Sequence, residues 1–198
     1  CGDLKTGLLL IERLEAMDVR TPELCGMATY FLLNAMEYEK ASNFGDYAIS
    51  KGVCDDVVLF NTAYAKFYDG AYQAACELLN LLTQEENCPI SALLLHVRAL
   101  DHLELNEDAE PLAQRAADLE PENSEAIGLL ALQKYENGDN AAALKAAIEA
   151  LTLNPSQLEA LIACASSHYE SGNNDAARKT WMHAIELYPE CGRAWSGL

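Results

Sequence analysis

Two stretches near the end of the chain follow the same pattern. Residues 135–155 are YENGDNAAALKAAIEALTLNP, and residues 169–189 are YESGNNDAARKTWMHAIELYP. Each begins with Tyr-Glu-x-Gly and ends in proline, and the offset between the two prolines is 34 residues (189 − 155). A fixed period of this length indicates a chain built from repeats of one small structural unit.

A frame with this period runs through the rest of the sequence without insertions or deletions. Its twentieth position is alanine in every complete repeat: Ala41, Ala75, Ala109, Ala143 and Ala177. We predict a single array over residues 1–198, which we expect to be a fragment of a longer protein because it starts and stops within repeats. The predicted divisions are a partial repeat 1–21, full repeats 22–55, 56–89, 90–123, 124–157 and 158–191, and a partial repeat 192–198.

Each repeat is predicted to form two helices. In the fourth repeat, residues 124–136 place apolar side chains at helical spacing, and Asn137-Gly138-Asp139 then interrupts them with turn residues. An alanine-rich run follows and stops at Pro155, which lacks the N–H donor that a helix needs. Neither helix is amphipathic enough to be stable alone, so neighbouring helices have to stack to bury a core.

The period and motif resemble the tetratricopeptide repeat family. The family pattern is W-x2-L-G-x2-Y, then A-x3-F, then P, and it is matched in part by Ala177-x3-Trp181 and by Trp195-x2-Leu198. The resemblance covers the whole chain. It implies an all-α fold, a right-handed α-solenoid of stacked helix-turn-helix units.

Two positions depart from the family pattern. Glu104 stands at a turn position where the family often has glycine. Gly45 stands where a large residue is expected, so we predict a thin spot in the packing there.

The charge of the chain restricts its possible partners. Lys and Arg number 13 against 31 Asp and Glu, a formal net charge of −18. This excess argues against nucleic acid, where cationic side chains replace phosphate counterions, and against an anionic membrane surface. No apolar run approaches the roughly 18 residues of a membrane helix, so we predict no direct membrane insertion. A basic or amphipathic protein segment suits the charge.

The cysteines favour a reducing compartment. There are seven, an odd number, and no C-x-x-C motif occurs. We therefore expect reduced thiols in a cytoplasmic protein. The alternative is a membrane-anchored or periplasmic lipoprotein in which Cys1 is the acylated first residue.

No specific catalytic motif is present, so we predict that the chain is not an enzyme and takes no cofactor. Cys164 and His168 are four residues apart on one helix and could begin a metal site. Both fall at packing positions of the repeat, and two ligands without a third do not form a site, so no metal is predicted.

The resemblance implies that the first helix of each repeat lines a concave inner face. We predict that a peptide or helical segment of a partner binds in this groove. The predicted groove residues are Tyr30, Leu33, Phe60, Tyr64, Phe67, Tyr68, Leu94, Arg98, Glu125, Leu132, Tyr135, Glu136, Glu159, Tyr169 and Glu170.

Two features of this set suggest how a partner is recognised. The aromatic stripe from Phe60 to Tyr68 offers large apolar contacts, and the glutamates of the fourth and fifth repeats would attract lysine or arginine. The alternative is that the aromatic side chains pack against each other or a neighbouring helix, while the acids form a solvated face. The lysine and asparagine pattern with which chaperone-binding members of the family grip a C-terminal carboxylate is missing, and only Asn61 resembles part of it.

The sequence therefore predicts a protein–protein interaction scaffold or adaptor. Two other functions stay open. The chain could be the docking or regulatory array of an enzyme whose catalytic domain lies outside it. It could also be a structural array that self-associates, for example as a homodimer through the terminal repeats around Trp195.

Overall fold

The computed structural model describes residues 2–16 and 21–198. Cys1, on which the lipoprotein alternative depends, and residues 17–20 lie outside the described residues. The described part is all-α and contains no strand. In chain order its helices are α1 (Gly2–Ala16), α2 (Pro22–Asn34), α3 (Tyr38–Ser50), α4 (Asp56–Tyr68), α5 (Tyr72–Thr83), α6 (Ile90–His102), α7 (Asn106–Leu119), α8 (Ser124–Glu136), α9 (Asn140–Leu153), α10 (Leu158–Glu170), α11 (Asn174–Leu187) and α12 (Gly192–Ser196).

The chain divides into two compact units, Cys1–Ala99 and Leu100–Leu198. In the first unit, α2 packs on α1, α3 and α4, and α4 also packs on α3 and α5. In the second unit, α8 packs on α7, α9 and α10, while α10 also packs on α9 and α11. The predicted all-α fold of stacked helix-turn-helix units is confirmed.

In four repeats a capping residue stands just before the first helix, at the point where the frame begins the repeat. The side chains of Thr21, Asp55, Asn123 and Gln157 each accept a hydrogen bond from a backbone N–H in the first turn of the helix that follows. Such caps satisfy donors that have no partner inside the helix. The helices that begin at these positions of the frame start at Pro22, Asp56, Ile90, Ser124, Leu158 and Gly192.

The turn between paired helices has the same backbone geometry in every complete repeat. One residue per turn takes a positive φ, and the N–H of the next residue donates to a carbonyl five residues before it, which is the Schellman motif. In these turns the residues with positive φ are Met36, Gly70, Glu104, Gly138 and Gly172. Met36 and Glu104 therefore hold a left-handed conformation that glycine adopts without strain.

The alanines at the twentieth position lie where helices cross closely. Ala41, Ala75, Ala109 and Ala143 are completely buried, and Ala177 is 2% exposed. A larger side chain at these points would push the helices apart. The regular spacing of this small residue along the chain therefore follows from helix packing.

The predicted thin spot at Gly45 is wrong. Gly45 is buried, and a Cβ built on it would overlap the side chain of Thr62 on α4. Thr62 is itself fully buried, and its hydroxyl donates to the carbonyl of Val58 at 2.6 Å. The glycine lets α3 and α4 approach more closely, so the space that a large residue would fill does not exist.

The strained turn in the first complete repeat gives a stability prediction. Changing Met36→Gly should raise the free energy of unfolding by about 1 kcal/mol, because glycine relieves the left-handed strain. Chemical denaturation measures the effect. The reverse change at the equivalent position, Gly138→Ala, should lower stability by a similar amount, and an unchanged midpoint in both variants would contradict the strain argument.

The close contact at Gly45 gives a second stability prediction. Changing Gly45→Ala should lower the free energy of unfolding by about 1–3 kcal/mol, because the new methyl group overpacks the contact with Thr62. The matched control is Gly192→Ala, whose Cβ meets nothing within 4 Å. We expect the control to change stability by no more than about 0.5 kcal/mol. Equal effects in the two variants would show that helix propensity, not packing, decides the result.

Candidate interaction surfaces

The aromatic side chains of α4 in the first unit form a continuous ladder. Ring centroids lie 6.2 Å apart between Phe60 and Tyr64, 4.6 Å between Tyr64 and Tyr68, and 5.2 Å between Phe67 and Tyr68. Phe60, Tyr64 and Phe67 are half-buried, and Tyr68 is 51% exposed. The stripe therefore packs against itself and still leaves an edge open to solvent.

The neighbouring helices hold this ladder in place. Tyr38 of α3 stacks on Tyr68 with a centroid distance of 5.2 Å, and Tyr72 of α5 meets Phe67 edge-on at 5.4 Å. A hydrogen bond between Tyr64 and Tyr68, together with partial burial, raises the pKa of Tyr64 to about 12. Tyr64 therefore stays neutral at physiological pH.

Other predicted groove residues of the first unit lie apart from the ladder or beneath the surface. Tyr30 is 57% exposed and meets Phe31 edge-on at 5.6 Å. Leu33 is half-buried against the core formed by α1 to α4. Arg98 is half-buried, and its charge acts on Tyr64. Leu94 is only 8% exposed, and we leave it out of any contact surface.

Sequence reasoning missed an apolar groove between α2 and α4. Among its lining residues, Met27, Phe31, Val57 and Asn61 stood outside the predicted set. Met27 and Val57 are 62% and 65% exposed in the structure, whereas the sequence shows only that both residues are large and apolar.

In the second unit, the structure brings two predicted Tyr-Glu pairs together. Tyr135 and Glu136 end α8, Tyr169 and Glu170 end α10, and all of them line one cavity of about 560 Å³, here called the acid–tyrosine cavity. Tyr169 is 60% exposed. The remaining lining residues are Ile162, Ser166, Trp181, Arg193, Ser196, Gly197 and Leu198.

Carboxylates outnumber the one arginine that lines this cavity. Arg193 forms ion pairs with Asp101 at 3.3 Å and with Glu136 at 3.5 Å. Desolvation raises the pKa of Glu136 above its ordinary value; Asp101 and Glu104 raise it further, and Arg193 opposes the shift. Burial is therefore the main reason why the pKa of Glu136 is raised, and Arg193 offsets this effect only in part.

Both glutamates of the cavity occupy an unfavourable helix position. Glu136 and Glu170 are the last residues of α8 and α10, where the partial negative charge of the helix disfavours a carboxylate. Residues that act against local stability in this way are expected where a binding function requires them.

The other predicted acids have a structural explanation. Glu125 and Glu159 stand in the first turn of α8 and α10, where a carboxylate is favourable, and Glu159 accepts a hydrogen bond from Gln157 at 2.6 Å. Neither lines the acid–tyrosine cavity. Leu132 is 3% exposed within the core of the second unit, and we leave it out of any contact surface.

Several thiols of the described residues pack in the interior. Cys25, Cys76, Cys88 and Cys164 are buried. Burial raises the pKa of Cys76 to about 11 and also raises that of Cys164, so both thiols remain protonated. Across residues 2–16 and 21–198, no group of three or more His, Cys, Asp or Glu side chains is arranged to hold a metal ion.

None of the described helices is both long enough and apolar enough to cross a bilayer.

Trp195 is exposed, as it would have to be if the chain formed a homodimer through its terminal repeats. Its side chain is 56% exposed, and its indole nitrogen donates to the carbonyl of Pro189 at 2.7 Å.

The sequence and fold are similar to those of known repeat proteins. A sequence model described as tetratricopeptide repeat matches residues 134–198. A comparison with curated proteins returned no match. Among solved structures, the fold is similar to YrrB, described as a TPR protein with an unusual peptide-binding site. The TM-score is 0.71 at 17% identity over 94% of this chain and 95% of that one.

Two further solved structures share the fold. MamA from Desulfovibrio magneticus RS-1, from residue 41 to its end, gives a TM-score of 0.73 at 16% identity over 86% of this chain and 97% of that one. TTC0263, a thermophilic TPR protein from Thermus thermophilus, gives a TM-score of 0.66 at 18% identity. The match covers 89% of this chain and 98% of that one. At such identities these structures show the fold alone.

The resemblance to the tetratricopeptide repeat family is thereby confirmed. Residues 134–198 match the repeat at the level of sequence, and the stacked helix pairs match it at the level of fold. This class of fold supports, in general terms, a protein-interaction scaffold.

The raised pKa of Glu136 gives a prediction about pH. Because the pKa is raised in the folded state, its contribution to stability is present below the unfolded pKa and is lost as pH rises through the folded value. Changing Glu136→Gln should remove this part of the pH dependence. Thermal unfolding measured over a pH series checks the expectation.

Two further variants test the cause of the shift. Changing Arg193→Gln should raise the pKa of Glu136 further, and Glu104→Gln should lower it toward the ordinary value. NMR titration of the side-chain carboxyl carbons measures both. If the two variants moved the pKa in the same direction, the assignment of these charges would be wrong.

Proposed function

We propose that the chain is a scaffold or adaptor that binds a basic or amphipathic segment of another protein. The acid–tyrosine cavity takes a lysine or arginine side chain of that segment. The observation that carries the proposal is the convergence of Tyr135, Glu136, Tyr169 and Glu170 on one cavity of about 560 Å³.

Charge and shape both support a cationic side chain in this cavity. Arg193 already pairs with Glu136 and Asp101, which shows that a guanidinium group fits between these carboxylates. Glu170 adds a further carboxylate, and the tyrosine rings can attract a cation over their faces. An acidic side chain would meet repulsion in the same place.

The aromatic ladder of α4 supports the amphipathic part of the proposal. Its exposed edge at Tyr68, next to the half-buried Phe60 and Phe67, offers large apolar contacts at a small entropic cost. The apolar residues of an amphipathic segment therefore have suitable contacts in the first unit. The peptide-binding site of YrrB, which shares the fold, also supports a peptide ligand.

A titration with matched peptides tests the proposal. The probes are acetyl-Leu-Lys-Leu-Lys-Leu-amide and the corresponding peptide with glutamate in place of lysine. NMR spectra of the labelled chain should show shifts at Tyr135, Tyr169 and Glu170 with the lysine peptide only. The shifts should weaken as salt is added, because the attraction is electrostatic.

Paired variants separate recognition from general charge attraction. Glu136→Gln with Glu170→Gln should abolish the shifts. The control, Glu149→Gln with Glu186→Gln, makes the same change in net charge at exposed positions of α9 and α11 and should retain them. Equal loss in both pairs, or equal binding of the glutamate peptide, would refute the proposed cavity function.

A further inference from the structure

The second helices of the fourth and fifth repeats, α9 and α11, expose large apolar side chains in the second unit. Ile148 and Leu153 of α9 are 53% and 46% exposed. Met182 and Leu187 of α11 are 47% and 40% exposed. Both helices pack on α10, so their exposed sides belong to one packed body. We call this surface the α9–α11 face, and it is formed by Lys145, Ile148, Glu149, Leu153, Arg178, Lys179, Met182, Glu186 and Leu187.

The fold does not require apolar residues at the centre of this face. Ile148 and Met182 occupy the same position of the 34-residue frame, and the first three repeats have polar residues there: Asp46, Asn80 and Gln114. Those three residues are also exposed, and their repeats form the same pairs of helices. Apolar side chains that appear only in two adjacent repeats therefore indicate contact with another molecule.

The face also carries cations, which are scarce in this chain. Lys145 and Lys179 share one position of the frame, and Arg178 stands beside Lys179. The first three repeats have no cation at the shared position, where their residues are Asn43, Glu77 and Pro111. Within residues 2–16 and 21–198, none of the three cations on the face has an ion-pair partner. They are therefore available to carboxylates outside the chain.

Charged and apolar side chains follow the same order along both helices. On α9, Lys145 precedes Ile148, and Glu149 follows it. The same order of cation, apolar residue and carboxylate holds on α11, from Lys179 to Glu186. The second helices of successive stacked repeats run in the same direction. Cations therefore lie toward one end of the face and carboxylates toward the other, and such a surface is complementary to itself when it is turned by 180°.

We propose that the α9–α11 face binds the same face of a second copy of the chain, so that two copies associate about a two-fold axis. The cations of each copy lie over the carboxylates of the other, and the side chains of Ile148 and Met182 are buried between them. In such an isologous interface every contact is made twice. The proposal does not depend on the acid–tyrosine cavity.

The net charge of the chain favours this face as the contact between copies. Two copies that each carry a formal charge of −18 repel each other over most of their surface. The repulsion is reduced where Lys145, Arg178 and Lys179 lie together. Asp175 is close to these cations in sequence, but it stands in the first turn of α11, where a carboxylate offsets the partial positive charge of the helix.

An anionic membrane is another surface that cations and apolar side chains could meet. Glu149 and Glu186 argue against it, because anionic headgroups would repel both carboxylates. In the two-fold pair the same carboxylates meet cations. Sedimentation with phosphatidylserine vesicles separates the two cases, and vesicle binding by a chain that stays monomeric in solution would overturn the proposal.

Analytical ultracentrifugation of the whole chain over a wide range of concentration tests the association. The measurement is made near physiological ionic strength, where repulsion is screened beyond about 8 Å. The mass should rise from that of one chain to that of two. Changing Ile148→Ser with Met182→Ser should weaken the association by about tenfold or more, because apolar burial is lost in both copies. A mass that stays at one chain, or that rises beyond two, would overturn the proposal.

Exchanging the charges gives the sharpest test. One variant makes the face wholly acidic, with Lys145→Glu, Arg178→Glu and Lys179→Glu. The other makes it wholly basic, with Glu149→Lys and Glu186→Lys. Each variant alone should stay a single chain, and an equal mixture of the two should form a mixed pair.

The basic variant also separates specific contact from general repulsion. It lowers the net negative charge, so general repulsion alone would predict stronger self-association. Self-association of this variant, or a mixture that does not associate, would contradict the two-fold contact. Formation of the mixed pair also shows that both variants are folded.

Control variants place the contact on the molecule. Glu77→Lys with Glu107→Lys makes the same change in net charge as the basic variant at exposed positions of α5 and α7, and it should keep the association. Trp195→Ala should keep it as well, and so should Glu136→Gln with Glu170→Gln. Loss of the pair in any of these controls would assign the contact to another surface and overturn the proposal.

Discussion

Close approach between neighbouring helices is the constraint on which the rest of this structure depends. The helices are short and only weakly amphipathic, so their stability comes from contact with the next helix in the stack. Ala41, Ala143 and Gly45 show how this contact is achieved, because each removes side-chain volume at a crossing point. The surfaces that could bind a partner are formed by those side chains that this packing leaves exposed.

Packing also explains which parts of the structure could be predicted from the sequence. Ala109 and Pro155 stand at fixed positions of the period because every complete repeat crosses its helices in the same way and the last three end their second helix at the same point. Met36 gave no indication of a left-handed turn, since its conformation is imposed by the helices on either side. Gly45 misled the prediction because the sequence does not show whether a glycine leaves a gap or lets two helices meet.

Only some residues of the candidate surfaces could be predicted from the sequence. The Tyr135–Glu136 and Tyr169–Glu170 pairs were visible because the repeat places them in equivalent positions at the ends of two helices. Leu132 and Leu94 were assigned to the groove from their positions in the repeat, and both are buried in the structure. Asn61 carries no chemical signature in the sequence that marks its amide as unpaired; only its surroundings reveal this.

The ion pair between Arg193 and Asp101 has a consequence for the cooperativity of the second unit. The two residues are 92 positions apart in the chain, whereas contacts in a repeat protein normally join adjacent repeats. Such a bond has a high sequence separation, and it links α12 to the end of α6 within one unit. Fraying of one end of this unit therefore costs a contact at the other, so the two ends open together more than in a simple nearest-neighbour array.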